Sequence, residues 1–242
     1  MKLTQRQEKL LNTIIGEYIE LAQPVSSQCL EKKYDFGICP ATIRIEMQKL
    51  TDNGFLCQPH TSAGRVPTDK GYRFFVDELL EKEIGDGFDG LTTGGFDKLT
   101  TSWFENEIKD NIKFIQSITK NLAHISGALA LNYLDKEKVF WKEGWEEILK
   151  EPEFGEKDFV VNFVDFLENF ENNIGDFEIN SGIKVYIGKE NPFKGAKDFS
   201  LISAKYHLPN EEGIISILGP KRMAYDKNIS LINSLTKLLE NL

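Results

Sequence analysis

The sequence predicts an α+β fold: an N-terminal winged helix-turn-helix domain, then a long helix and a second domain of mixed helices and strands. Three observations support this prediction. The first part of the chain carries helical patterns around one pair of short strand patterns, and a glycine-rich segment follows. Beyond that segment, strand patterns rich in Val, Ile and Leu are interspersed with helical ones. A chain of 242 residues is long enough for two such domains.

Two short helices are predicted at the start of the chain. Thr4 begins a capping box, and apolar residues at helical spacing continue the first helix to about Leu21. Ser26 or Ser27 can cap a second helix, which the glycine after Phe36 ends.

A third helix, a β-ribbon and a fourth helix complete the predicted domain. The third helix begins at Pro40 and ends at Asn53-Gly54, and its buried stripe is Ile43, Met47 and Leu50. Residues 55–58 and 64–66 can pair as a ribbon, and Thr68-Asp69 caps the fourth helix. This order of elements is the plan of a winged helix-turn-helix.

A glycine-rich segment separates the two predicted domains. Residues 85–95 contain five glycines, a composition that cannot hold a helix. The expected boundaries are therefore a DNA-binding domain at 1–84, a linker at 85–98 and a dimerisation and α+β domain at 99–242. The segment also spells G-x-G-x-x-G, but without a preceding strand it does not predict a dinucleotide cofactor.

The helix beyond the linker carries one long apolar stripe. That stripe can join two chains in a dimer or pack on the chain's own second domain, because a single stripe does not name its partner. Its residues are Phe104, Ile108, Ile112, Ile115, Ile118 and Leu122. Strand patterns follow at 127–133, 183–188, 199–206 and 213–218, and helical patterns at 145–150, 156–170 and 226–239.

Charge and composition restrict the function. The net charge is -9, yet the first 76 residues carry ten Lys and Arg against eight Asp and Glu, so the acidity belongs to the rest. No apolar run approaches a membrane span and no secretory segment begins the chain, so a cytoplasmic protein is expected. The three cysteines do not fit a zinc-ligand spacing, and the three histidines lie in no catalytic motif. Neither an enzyme, a metal site nor a cofactor is predicted.

The third helix has a face that can read bases in a DNA major groove. Rotation of about 100° per residue turns the side opposite the buried stripe outward. Gln48 can address adenine, Arg44 guanine or phosphate, and Ile45 a thymine methyl group. The alternative is a plain solvent face, for which an outward isoleucine is an unusual choice. The outward and flanking residues are Ala41, Thr42, Arg44, Ile45, Gln48 and Lys49, and the cations that can pair with phosphates are Arg65, Lys70 and Arg73.

The chain resembles the HrcA family of heat-inducible transcription repressors. The strongest match is the run Gln58 to Arg73, QPHTSAGRVPTDKGYR, which is similar to that family's wing and following helix almost letter for letter. Further matches, in order along the chain, are 20–27, 40–44, 144–149, 152–154, 187–191 and 219–225.

The resemblance implies a cytoplasmic homodimer that binds an inverted-repeat operator in double-stranded DNA and represses chaperone genes until heat releases it. It also implies a GAF-like fold for the second domain, and the chaperonin as a partner that holds the repressor active. By position it assigns His60, Thr61 and Ser62 in the wing to DNA binding.

Two departures from the family pattern bear on these expectations. Cys39 and Ile45 stand where the pattern Ser-Pro-Ala-Thr-Ile-Arg-Asn has its first and last residues, so a helix cap and a base-bonding side chain are lost. The chain is also shorter between about Tyr133 and Val139, so the GAF-like domain is expected to be reduced, without part of its sheet or its dimerising insertion.

Two other function classes fit the same elements. The second domain of a winged-helix regulator can sense a small molecule and control genes unrelated to stress. A reduced domain can also serve as an interaction module that contacts chaperones without reading DNA.

Overall fold

The structure, a computed structural model, describes residues 3–85, 111–177, 179, 182–208 and 211–240. The chain divides into two compact units, Met1–Leu79 and Leu80–Leu242. Nearly all of the predicted linker at 85–98 lies outside the described residues, as do Phe104, Ile108 and the side chain of Ile112. Among the described helices, none is long and apolar enough to cross a membrane.

The first unit has the predicted order of elements. Strands β1 and β2 pair antiparallel, with Leu56 opposite Pro67. The predicted capping box is present, because Thr4 Oγ1 accepts from the Gln7 N–H at 3.3 Å and the Thr4 N–H donates to Gln7 Oε1 at 3.1 Å. The elements are α1 (Gln5–Leu21), α2 (Ser27–Lys33), α3 (Pro40–Asp52), β1 (Leu56–Cys57), β2 (Val66–Pro67) and α4 (Asp69–Gly85).

Apolar stripes of the helices form the core of this unit. The predicted inward stripe of α3 is confirmed, since Ile43, Met47 and Leu50 are at most 4% exposed. They are buried together with Leu10, Leu11, Ile14 and Ile15 of α1, Leu30 of α2, and Tyr72 and Val76 of α4. Because the stripe is buried, the opposite face of α3 is turned to solvent.

A buried carboxylate ties α1 to the end of α2. Glu17 is 2% exposed and accepts hydrogen bonds from Lys33 Nζ at 2.7 Å and from Tyr34 Oη at 2.5 Å. The hydrogen bonds from Lys33 and Tyr34 hold the pKa of Glu17 below its usual 4.5, against the opposing effect of burial.

Glu17→Gln is expected to lower the free energy of unfolding of the first unit by about 2 kcal/mol at neutral pH, since charge-assisted hydrogen bonds are lost. Because the pKa of Glu17 is lower in the folded state, its carboxylate stabilises the folded state at pH values above the usual pKa. This contribution is lost as the pH falls through the folded-state pKa. The wild type should therefore lose more stability than the variant as the pH falls below about 4.5. Urea unfolding followed by circular dichroism measures both, with Glu20→Gln on the exposed face of α1 as control. Equal acid losses in wild type and Glu17→Gln would contradict the assignment.

The second unit is built on a five-stranded antiparallel sheet in the order β4-β3-β7-β6-β5. Four of its strands match predicted runs, whereas edge strand β4 was not predicted. Its sequence, VFWKE, is short and every residue is half-buried, so it shows no clear alternation. The strands are β3 (Leu129–Leu134), β4 (Val139–Glu143), β5 (Ile183–Ile187), β6 (Phe199–Leu208) and β7 (Glu211–Pro220).

Helices cover both faces of the sheet. Helices α5 (Asn111–Ser126) and α8 (Tyr225–Glu240) pack on one face. On the other face, α7 (Lys157–Asn173) places Phe163 and Phe166 against Phe199 of β6, with ring centroids 5.3 and 5.8 Å apart. The short helix α6 (Trp145–Ile148) follows β4. The α+β class predicted from the sequence is confirmed.

The site of the expected shortening closes as a β-hairpin. Residues 135–138 form the turn between β3 and β4, and the pairing begins at once with Leu134 opposite Val139. The expected shortening therefore leaves the pairing of β3 with β4 uninterrupted, and the sheet continues from β4 to β5.

Candidate nucleic-acid interface

The outward face of α3 is a solvent-exposed surface of mixed chemistry. Arg44, Gln48 and Lys49 are exposed, and Ile45 between them is 56% exposed. Ala41 is exposed and Thr42 is half-buried. The predicted outward set thus lies together on one side of the helix, where an apolar side chain is flanked by hydrogen-bonding ones.

The ribbon loop, residues 58–64, lies between β1 and β2, and the side chain of Gln58 holds it closed. Gln58 Nε2 donates to the backbone carbonyls of Thr61 at 2.9 Å and Ala63 at 3.0 Å. His60, Thr61 and Ser62 at the tip are exposed. The loop therefore holds a defined shape while its tip faces solvent.

The end of the ribbon loop is tied to the residues before α2. Val25 and Arg65 exchange backbone hydrogen bonds of 2.9 and 2.8 Å. A Cβ atom on Gly64 would lie 2.4 Å from the Val25 carbonyl oxygen, so only glycine fits at this crossing. The backbone thus sets where the ribbon loop stands.

A hollow of about 390 Å³ lies between the first residues of α2, the side of α3 that carries Arg44 and Met47, and the ribbon loop. Arg44 lines it from α3, so a cation faces the concave surface. Its other lining residues are Ser26, Ser27, Gln28, Met47, Gln58, Thr61, Ser62, Ala63, Gly64 and Arg65. Of the predicted residues, the hollow brings together Arg44, Thr61, Ser62 and Arg65. Its lining does not include Ala41, Thr42, Ile45, Gln48, Lys49 or His60.

Arg65 extends from the ribbon onto α3. Its Nε donates to Thr51 Oγ1 at 2.9 Å and its Nη2 donates to Gln48 Oε1 at 2.9 Å. Gln48 Nε2 in turn donates to Asp52 Oδ1 at 2.7 Å. Sequence reasoning did not include Thr51, and no local pattern could have found it because its partner is 14 residues away.

The other predicted cations each contact an acceptor of their own unit. Lys49 Nζ lies 2.8 Å from Glu46 Oε1, and this hydrogen bond lowers the pKa of Glu46. Lys70 Nζ donates to the Asn53 carbonyl at 2.8 Å and lies 4.3 Å from the centroid of the Phe55 ring. Arg73 pairs with Asp77 one helical turn on, at 3.4 Å.

Cys39 occupies the N-cap of α3 without making a side-chain cap. Its Sγ lies 3.3 Å from Thr42 Oγ1, and hydrogen bonding with this hydroxyl lowers the pKa of the thiol. The predicted loss of a capping side chain at this position is therefore confirmed.

The apolar stripe of α5 packs inside its own unit. Ile115, Ile118 and Leu122 are at most 1% exposed, and the helix contacts β3 and β4. The sequence left open whether this stripe joins two chains or packs on its own domain. These three side chains pack on their own domain, so they offer no surface to a second chain. Within the described part of the chain, no group of three or more His, Cys, Asp or Glu residues could hold a metal ion.

Comparisons with known proteins match most of the chain. A family model described as the HrcA protein C terminal domain matches residues 79–229. A heat-inducible transcription repressor HrcA from Natranaerobius thermophilus is 31% identical over 99% of this chain and 98% of its own length. The protein of the same name from Thermoanaerobacter sp. strain X514 is 30% identical over 100% and 97%.

The Natranaerobius relative is longer than this chain, and one solved structure has the same fold. The alignment to the Natranaerobius protein extends over 347 positions, against 242 residues here, so that relative contains segments that this chain lacks. The crystal structure of a hypothetical protein, 22% identical, superposes with a TM-score of 0.81 and covers 99% of this chain and 98% of that one. The two chains share a fold.

Proposed function

The chain belongs to the HrcA family of heat-inducible transcription repressors, and from this premise we propose that it represses as a homodimer on an inverted-repeat operator. It is a heat-shock transcription repressor and not an enzyme. In the proposed complex the first unit, a winged helix-turn-helix, binds one operator half. The second unit is a reduced GAF-like domain.

One observation supports this mode of DNA binding above the others: Arg44 of α3 lines the same hollow as Thr61 and Ser62 of the ribbon loop. A major groove admits one α-helix, whose outward side chains reach base edges. With α3 in that groove, the ribbon loop lies beside it at the sugar-phosphate backbone, where His60, Thr61 and Ser62 can donate to phosphates.

We also assign the partners on this basis. Two-fold symmetry of the dimer is mirrored in the operator, so the half-sites should lie one or more helical turns apart. Since Ile115, Ile118 and Leu122 are buried in their own unit, these three side chains are not assigned to the dimer seam. The resemblance to the family supports the chaperonin as a further partner. We place the protein in the cytoplasm, because a repressor binds the chromosome there.

The function is tested by fluorescence anisotropy of the full chain with the family's inverted-repeat operator and with a scrambled duplex of equal length. A preference of about 10³-fold or more for the operator, with a steep dependence on salt, is the expected result. Equal weak binding of both duplexes would refute sequence-specific repression through this operator.

Arg44→Ala is expected to weaken operator binding by about 1–3 kcal/mol and to relax the base preference at one position, because Arg44 faces the hollow from α3. The control is Lys32→Ala, which removes the same charge from the exposed last turn of α2. Anisotropy titrations at two salt concentrations compare the operator affinities of the Arg44→Ala and Lys32→Ala variants. An Arg44 variant that binds like the Lys32 variant would place DNA on another face.

A further inference from the structure

Arg65 has its side chain anchored at two points on α3. Its backbone is held by Val25, and its guanidinium is held by Thr51 Oγ1 and Gln48 Oε1, both at 2.9 Å. Thr51 Oγ1 itself donates to the Met47 carbonyl at 2.9 Å, so it is a fixed acceptor. Because a guanidinium is planar, two anchoring hydrogen bonds set the orientation of the whole group.

The anchors leave part of the guanidinium available. An arginine has five N–H donors in a rigid fork, and these bonds use the Nε donor and one Nη2 donor. The end of the fork, made of Nη1 and the second Nη2 proton, remains for a planar partner with two acceptors. In the major groove, guanine supplies that pair through O6 and N7.

Gln48 is engaged at both ends of its amide. Its oxygen accepts from Arg65 Nη2 and its nitrogen donates to Asp52 Oδ1 at 2.7 Å. Bidentate reading of adenine needs both the oxygen and the nitrogen of the amide. In this geometry the amide orients Arg65 instead of addressing a base.

We propose that Arg65 reads a guanine in each operator half through the outer end of its guanidinium, with Gln48 and Thr51 as positioning residues. The proposal rests on the proposed function, because it assumes that α3 enters the major groove. It differs from the sequence-based expectation, in which Arg65 contacts phosphate and Gln48 reads adenine.

The experiment begins with selection by the wild-type full chain from duplexes with randomised base pairs. Anisotropy then measures affinity for the selected site and for duplexes in which each guanine in turn is replaced. One replacement should cost the wild type about 10- to 100-fold. Arg65→Ala should be indifferent to that replacement and keep the other preferences. Arg65→Lys keeps the charge and the backbone pairing but lacks the fork, so it should also lose this guanine preference, with an unchanged salt slope.

The positioning residues have their own readout. Thr51→Val should weaken the same guanine preference without affecting any other, whereas Thr51→Ser, which retains the hydroxyl, should restore it. Gln48→Ala should act at that same base pair, and not at an adenine. These three results together would support a role exerted through Arg65.

Two outcomes overturn the inference and can be told apart. If the wild type selects no sequence, the proposed function fails and the inference fails with it. If the wild type selects a site but Arg65→Ala weakens all duplexes equally and lowers the salt slope by about one, Arg65 contacts a phosphate and only the inference fails. Circular dichroism of each variant confirms that the first unit is folded in these comparisons.

Discussion

Gly64→Ala is expected to reduce operator binding to nearly the level of nonspecific DNA, a loss of roughly 10³-fold. The added Cβ would lie 2.4 Å from the Val25 carbonyl oxygen and 2.5 Å from its carbon, both backbone atoms. Backbone atoms cannot move away by a change of rotamer as a side chain can. The backbone pairing between Val25 and Arg65 must therefore open. Overpacking of this kind costs about 1–3 kcal/mol, and here it also displaces Arg65 and the ribbon loop.

Two spectroscopic signals separate this effect from general unfolding. The first unit contains no tryptophan, because all three tryptophans of the sequence follow Leu79. Tryptophan emission should therefore not change in the variant. Circular dichroism should show earlier thermal unfolding of the first unit.

The control is Gly16→Ala, where the new Cβ meets no atom within 4 Å. In the middle of α1 this change should stabilise by about 0.5–1 kcal/mol and leave DNA binding intact. Unchanged operator binding by the Gly64 variant would show that the backbone pairing of Val25 with Arg65 is not needed for the DNA interface.

Arg222→Ala is expected to lower the free energy of unfolding of the second unit by about 3 kcal/mol. The Arg222 side chain is 10% exposed and donates to Glu153 from Nε at 2.5 Å and from Nη2 at 2.8 Å, and its Nη2 also bonds Glu151. Removing the guanidinium leaves two partly buried carboxylates close together without a cation. The expected value is near the low end for buried pairs because both carboxylates keep some contact with solvent.

Urea unfolding followed by tryptophan emission reports this unit. Lys227→Ala is the control, since it removes the same charge from an exposed position of α8. A variant with the stability of the control would mean that the cluster contributes no more than a surface ion pair.

The same ion pair joins two of the segments that resemble the family. The segments 152–154 and 219–225 are far apart in the chain, yet Arg222 and Glu153 join them across 69 residues. The contact between the two segments cannot be predicted from a single sequence, because it depends on how the sheet and its connections fold.

Local interactions could be predicted from the sequence alone. The capping box at Thr4, the start of α3 at Pro40, its inward stripe and the outward position of Ile45 all follow from residue spacing and helix geometry. These features depend on neighbours within one or two turns. The same reasoning did not predict β4, since an edge strand with uniformly half-buried residues lacks a periodic signal.

Tertiary structure decided which partners the predicted surfaces meet. The stripe of α5 was equally suited to a second chain or to the chain's own sheet, and the fold buries Ile115, Ile118 and Leu122 in the latter. The bond between Arg65 and Gln48 spans 17 residues and exists because the ribbon folds back onto α3. The sequence thus determined the helices, their faces and the family, through short-range periodicity and motif. The contacts that orient the interface depended on three-dimensional closure, which brings together residues that no local pattern relates.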